Sequence, residues 1–155
     1  GTAAGIGAHI AFASDLVIAA DNAKFIEVFV RRGITPDGGG AYMLPRLIGM
    51  QKAKELIFFG DDLKAADAER VGLVNKVVPQ AELMTAAGEW AGRLAESPTK
   101  AIMLSKWLLN RSLDSNRHGA FEDEAWAQEM ASYTKDFQEG VAAFKERRDV
   151  EYRGW

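Results

Sequence analysis

The sequence predicts an α/β fold in which a few short strands stand near the front and helices fill the rest. Three observations carry this. Leu16-Val17-Ile18-Ala19-Ala20 is a short continuous apolar run, the pattern of a strand buried on both faces. Leu73-Val74-Asn75-Lys76-Val77-Val78 alternates, is β-branched and ends at Pro79. From Ala41 onward, apolar residues otherwise recur at helical spacing. Glycine follows the same division, with seven of 15 in the first 40 residues, whereas all four tryptophans lie at or beyond Trp90.

Taken in order, Gly5-Ile6-Gly7 leads into the small-residue stretch Ala8-His9-Ile10-Ala11-Phe12-Ala13, which suits a buried helix interrupted at Ser14-Asp15. Asp21-Asn22 marks a turn after the first strand. Lys24 to Val30 fits an extended segment, and Val28-Phe29-Val30 is also compatible with a short helix. Gly33-Ile34-Thr35-Pro36-Asp37-Gly38-Gly39-Gly40 cannot be a regular element: Pro36 drives Thr35 from the helical region, and the glycines permit unusual dihedrals. Helices are expected over Ala41–Ile48, over Gln51–Phe59 ending at Gly60, and over Leu63–Val71 with Gly72 past its end. Leu83, Ala87, Trp90 and Leu94 mark one buried helical face. Ser97-Pro98 reads as the N-cap and first residue of the next helix, with Ala101, Leu104 and Leu108 turned inward. Phe121, Ala125, Met130 and Tyr133 mark another buried face, and Phe137, Val141 and Phe144 a last one, before a charged, solvated Lys145-Glu146-Arg147-Arg148.

Composition removes several function classes. At 155 residues, 48% apolar and 26% charged, the chain is ordinary globular protein of about one domain. A net charge of -3 offers no basic field for nucleic acid. The absence of cysteine rules out a disulfide framework, a Cys-ligated metal and a thiol nucleophile. No apolar run approaches the ~20 residues that span a bilayer. The two histidines, His9 and His118, are a weak metal signal, so no metal is expected.

Two segments can carry chemistry. Glycines at Gly5 and Gly7, at a helix start, allow close approach to unpaired backbone N–H groups; preorganised donors of that kind stabilise an oxyanion. Close packing of small residues explains the same pattern without function. A phosphate loop does not fit, because Gly5-Ile6-Gly7 lacks the third glycine of the dinucleotide fingerprint and no Walker run exists. The second segment is the loop carrying Asp37, which suits a proton shuttle or, equally, an Asp closing its own turn. His9 lies one turn after Ile6 on the same side.

Read together, Gly1-Thr2-Ala3-Ala4-Gly5-Ile6-Gly7, Ser14-Asp15-Leu16-Val17-Ile18-Ala19-Ala20, Ala23-Lys24-Phe25, Gly33-Ile34-Thr35-Pro36-Asp37-Gly38-Gly39 and Leu44-Pro45-Arg46-Leu47-Ile48-Gly49 resemble the enoyl-CoA hydratase/isomerase, or crotonase, superfamily. Ala65 to Pro79 and Glu139-Gly140-Val141-Ala142-Ala143-Phe144 fit it too. The resemblance runs through essentially the whole chain. It implies the C-terminal part of a crotonase-type (ClpP/crotonase) fold, with 1–79 belonging to the core and 80–155 forming a helical assembly and CoA-contact region. It also implies that an N-terminal part with most of the strands lies outside this sequence, and that the fragment alone is inactive.

The resemblance implies acyl-CoA thioester substrates, a thioester enolate held by two backbone N–H groups, and no cofactor, CoA being part of the substrate. One donor corresponds to Ile6, and the other belongs to the part outside. Family hydratases carry two glutamates where this chain has His9 and Phe29. Asp37 matches a carboxylate of several family isomerases. Double-bond isomerisation with Asp37 as acid/base is therefore expected, with His9 as a second candidate. The alternatives are a hydratase using groups from outside, and a non-catalytic acyl-CoA-binding or assembly subunit. Gly5, Gly7, Phe29 and Gly38 are expected to line the acyl site, and Phe144 and Lys145 to contact CoA. A cytoplasmic homotrimer or hexamer is the implied setting.

Overall fold

The structure is a computed structural model that describes all of residues 1–155. It divides into two compact units, Gly1–Ala87 and Gly88–Trp155. Every strand lies in the first.

In that unit, β1 (Thr2–Ala4) pairs in parallel with β3 (Lys24–Ile26), and β3 pairs antiparallel with β4 (Asp62–Lys64). A second, two-stranded parallel sheet joins β2 (Ile18–Ala20) to β5 (Lys76–Val78), with Ile18 opposite Lys76 and Ala20 opposite Val78. The expected β2 and β5 are thus partners, trimmed to three residues each. The Asn75 side chain prepares this pairing by accepting the Val17 N–H at 2.7 Å, while the Val17 carbonyl accepts the Asn75 N–H at 2.8 Å.

Between β1 and β2 runs α1 (Ile6–Phe12), and beyond β3 a single 3-10 turn covers Val30–Arg32. The two readings of Lys24–Val30 are both realised in sequence: strand to Ile26, then a tight turn. α2 (Gly40–Ile48) and α3 (Met50–Phe59) follow, and Gly60, at φ 63°, ends α3. The core gathers Phe12, Phe25, Leu44, Leu56, Leu63 and Leu73 around small alanines, with the Phe12 and Phe25 rings 5.1 Å apart. This packing places α1 firmly against β3, the arrangement on which the site depends.

The expected helix Leu63–Val71 is two elements. Residues 62–64 form β4, and α4 (Ala65–Arg70) begins only where the Ala65 N–H donates to the Ala23 carbonyl at 2.9 Å. A Lys24–Asp62 ion pair at 2.6 Å and burial of Leu63 opposite Phe25 favour the strand over one more helical turn. Gly72, at φ 87°, does follow the helix end.

α5 (Leu83–Ala95) contributes its later residues to the second unit, which otherwise contains α6 (Thr99–Ser112), α7 (Arg117–Ser132) and α8 (Lys135–Glu146). Leu94 of the expected α5 face is exposed. At the start of α6 the Pro98 carbonyl accepts the Ile102 N–H, so Pro98 is the cap; Ser97 instead donates to the Arg93 carbonyl at 2.6 Å. Leu104 and Leu108 face α7 as expected and share a cleft there with Phe121, Ala125, Ala127 and Ala131. Phe121, Met130 and Tyr133 are exposed, and the large ring that α7 brings against α6 is Trp126, 5.3 Å from Trp107. In α8 it is Ala143 and Asp136 that are buried, while Phe144 is 86% exposed and is no core residue. Nor is the charged end freely solvated: Arg148 donates to Glu139 at 2.5 and 2.8 Å, and Asp136 accepts the Arg153 and Gly154 N–H groups at 2.7 and 2.8 Å.

Candidate active site

The site begins at Gly5. Its φ of 56° and ψ of -126° belong to a region that essentially only glycine enters. A Cβ there would also stand 3.3 Å from Val28 Cγ2. The strained turn is held by the Gly5 N–H, which donates to the Ile26 carbonyl at 2.9 Å. The Gly5 carbonyl accepts the Ala8 and His9 N–H groups at 2.9 and 3.2 Å. Ile6 is the first residue of α1, so no carbonyl four residues back in the helix receives its N–H. That donor is an open end of the helix rather than a link in its ladder.

One turn on, His9 is 1% exposed. Its Nε2 lies 2.9 and 3.1 Å from the two carboxylate oxygens of Glu27, itself 4% exposed. The ring of Phe29 stacks on the imidazole, with centroids 5.3 Å apart and planes 18° from parallel. Phe29 therefore occupies the neighbourhood of His9, reached through the turn after β3.

The glycine loop closes over the same ring. A Cβ on Gly40 would fall 2.1 Å from His9 Nε2, so no side chain fits there. A Cβ on Gly38, at φ 58°, would lie 3.2 Å from Ile6 Cγ1 and 3.6 Å from His9 Nδ1. Ile6, His9, Glu27, Phe29, Gly38 and Gly40 thus form one cluster. Asp37, adjacent to Gly38, is exposed, and its backbone carbonyl closes the turn by accepting the Gly40 N–H at 3.3 Å. Gly7 sits in the first turn of α1 with open space where a Cβ would point. Phe144 and Lys145 belong to α8 in the other unit, both exposed. His118 is a surface residue 3.6 Å from Glu122.

The sequence sets Glu27 two positions off the place of the family glutamate and Gly40 among the glycines of its loop, and it does not show that both meet His9. A signal existed for Glu27: it is the one charged residue in Phe25-Ile26-Glu27-Val28-Phe29-Val30. A carboxylate inside such a run must be paired when buried. Chemically, the cluster offers a backbone donor for a developing negative charge, a buried imidazole–carboxylate pair, an aromatic wall and an exposed carboxylate on a glycine loop.

Comparison with known proteins gives this arrangement a family. The enoyl-CoA hydratase/isomerase family model matches residues 1–154. The chain belongs to the enoyl-CoA hydratase/isomerase family. It is 42% identical over 153 residues to a short-chain-enoyl-CoA hydratase of Clostridium acetobutylicum, covering 97% of this chain and 58% of that protein. It is 36% identical over 154 residues to the 1,2-epoxyphenylacetyl-CoA isomerase of Escherichia coli, covering 99% and 59%. An enoyl-CoA hydratase subunit of Geobacillus kaustophilus superposes with a TM-score of 0.97 at 34% identity, covering all of this chain and 60% of that one. The fold of this family member is accordingly crotonase-type α/β. The chain spans about three fifths of the length of the relatives it matches.

Proposed function

We propose that the protein acts on acyl-CoA thioesters through an enolate whose oxygen is held by the Ile6 N–H, and that it moves the double bond of an enoyl-CoA with Asp37 as acid/base. The observation that carries this reading is that Ile6, whose N–H is open, packs its side chain at the Gly38 turn, next to which stands the exposed Asp37. In this chemistry Asp37 removes the α-proton of a 3-enoyl thioester. The C–H electron pair passes to the thioester oxygen as a dienolate, and the carboxyl group returns the proton at the γ-carbon, leaving the double bond conjugated. The Ile6 donor is charge-complementary only to the dienolate, where one such contact contributes on the order of 3–4 kcal/mol. No resident cofactor takes part, since CoA belongs to the substrate.

Around this centre, Gly5, Gly7, Phe29 and Gly38 line the acyl site, and Phe144 and Lys145 contact CoA. The protein works as a cytoplasmic homotrimer or hexamer, without nucleic-acid or membrane partners. Residues 1–79 carry the core and 80–155 the helical assembly region. The test is turnover of a 3-enoyl-CoA by the protein in its full natural length. Asp37→Asn is expected to lower kcat by about 10²–10⁴-fold. Unchanged isomerisation in that variant overturns the role of Asp37.

Hydration is the second reading, favoured by the names of relatives such as the Clostridium acetobutylicum hydratase and a crotonyl-CoA hydratase of Syntrophomonas wolfei, 40% identical over 152 residues. Crotonyl-CoA hydration that survives both His9→Ala and Asp37→Asn selects it. Thioester binding with no turnover of either substrate selects a non-catalytic binding subunit.

A further inference from the structure

The buried His9–Glu27 pair has a feature that packing alone does not account for. His9 Nδ1 is buried and has no hydrogen-bond partner, whereas Nε2 is fully engaged by Glu27. Buried polar atoms of proteins are nearly all paired, so an unpaired one invites a functional explanation. When the ring is neutral and Nε2 donates to the carboxylate, the lone pair is on Nδ1. That lone pair lies at the Gly38 turn, beside the Ile6 side chain whose own N–H opens the helix. The turn over it consists of Gly38 at φ 58° and Gly39 at φ 87°, with the Ile6 side chain packed beside it.

We infer that Glu27 is a positioning residue that fixes His9 as a second proton acceptor for the acyl thioester, with Nδ1 as the acting atom. The inference rests on the thioester reading and deepens it. Nδ1 is an acceptor alternative to Asp37 for the α-proton of the thioester, and the C–H electron pair moves to the enolate oxygen. The imidazolium so formed is paired with the Glu27 carboxylate and later gives the proton back to carbon. Phe29 keeps the ring plane fixed by stacking, and Gly40 leaves the space the ring occupies.

The test uses the full chain, labelled with ¹⁵N in backbone and histidine rings, titrated with butyryl-CoA, a saturated thioester that is neither isomerised nor hydrated. The expected result is a shift of the His9 Nδ1 resonance together with the Ile6 amide. In Glu27→Gln, where either amide group can face Nε2, the tautomer is no longer fixed, and the Nδ1 response falls by at least half while the Ile6 response persists. Movement of Ile6 without movement of Nδ1 overturns the inference and leaves the thioester reading standing. Movement of Nδ1 without Ile6 supports the inference and removes the oxyanion donor. Stillness of both overturns the two together. An undiminished Nδ1 response in folded Glu27→Gln reduces Glu27 to a structural partner. Should that variant not fold, Glu27→Asp is expected to retain the response, and a lost response in its folded form overturns the assignment.

Discussion

At the scale of single residues, the site is governed by space around one imidazole. Gly40 exists because His9 fills the volume that a side chain at position 40 would need: a Cβ would stand 2.1 Å from Nε2 and 2.2 Å from Cε1. The ring cannot step aside, being bonded to Glu27 on one edge and stacked on Phe29 across its face. Gly40→Ala is expected to lower stability by about 1–3 kcal/mol through overpacking and to break the His9–Glu27 bond. Gly33 is the comparison. A methyl there would meet open space, but its φ is 68°, so Gly33→Ala incurs only the left-handed backbone cost, about 1 kcal/mol. Urea denaturation of the two variants decides, and a Gly40→Ala no worse than Gly33→Ala refutes the packing argument. Of this cluster, Gly5, Ile6, His9 and the Asp37 loop were legible in the sequence, because glycine frees and proline restricts the backbone locally. The pairing of Glu27 with His9 was not legible, since the two stand 18 positions apart.

At the scale of elements, helix stops were the most readable features. Gly60 and Gly72 stand at left-handed helix ends because the backbone there admits little else. β4 was hidden: three residues carry no period of their own, and Leu63 joins smoothly onto the apolar pattern of α4. Faces of α7 and α8 misled for a related reason: Ala127 and Ala143 are the buried apolar residues there, and the aromatic rings of the expected faces are exposed. The end of the chain illustrates a tie that only the folded molecule shows. Arg148 donates to Glu139 and the Glu151 N–H adds a further bond, and together they hold the Glu139 carboxyl down at about 2 instead of 4.5. Its folded-state value is below its unfolded one, so its contribution is complete above about 4.5 and fades as pH falls toward about 2. The Glu151 amide resonance of the folded protein is expected to follow Glu139 with a midpoint at about 2, and Glu139→Gln is expected to remove that step. A step whose midpoint stays at about 4.5 contradicts the assigned tie.

At the scale of the whole molecule, much apolar surface remains outside the two cores. Leu47, Met50, Phe58 and Phe59 are exposed in the first unit, and Phe121, Trp126, Tyr133 and Phe144 in the second. No helix is long and apolar enough to cross a membrane. Apolar surface of this kind is open to cover by the rest of the protein, since the chain spans about three fifths of its relatives' length, as well as by another copy. A net charge of -3 opposes association only weakly. This supports the proposed assembly and gives it a distinguishing property. Contacts made by apolar burial are not screened by salt, whereas exposed ion pairs are. Light scattering on the eluting protein is therefore expected to give three or six chain masses, unchanged between low salt and about 1 M sodium chloride, where the screening length falls to about 3 Å. Dissociation by salt would assign the interface to charge instead, and a single chain mass throughout would end the assembly proposal while leaving the chemistry at Ile6, His9 and Asp37 to stand on its own tests.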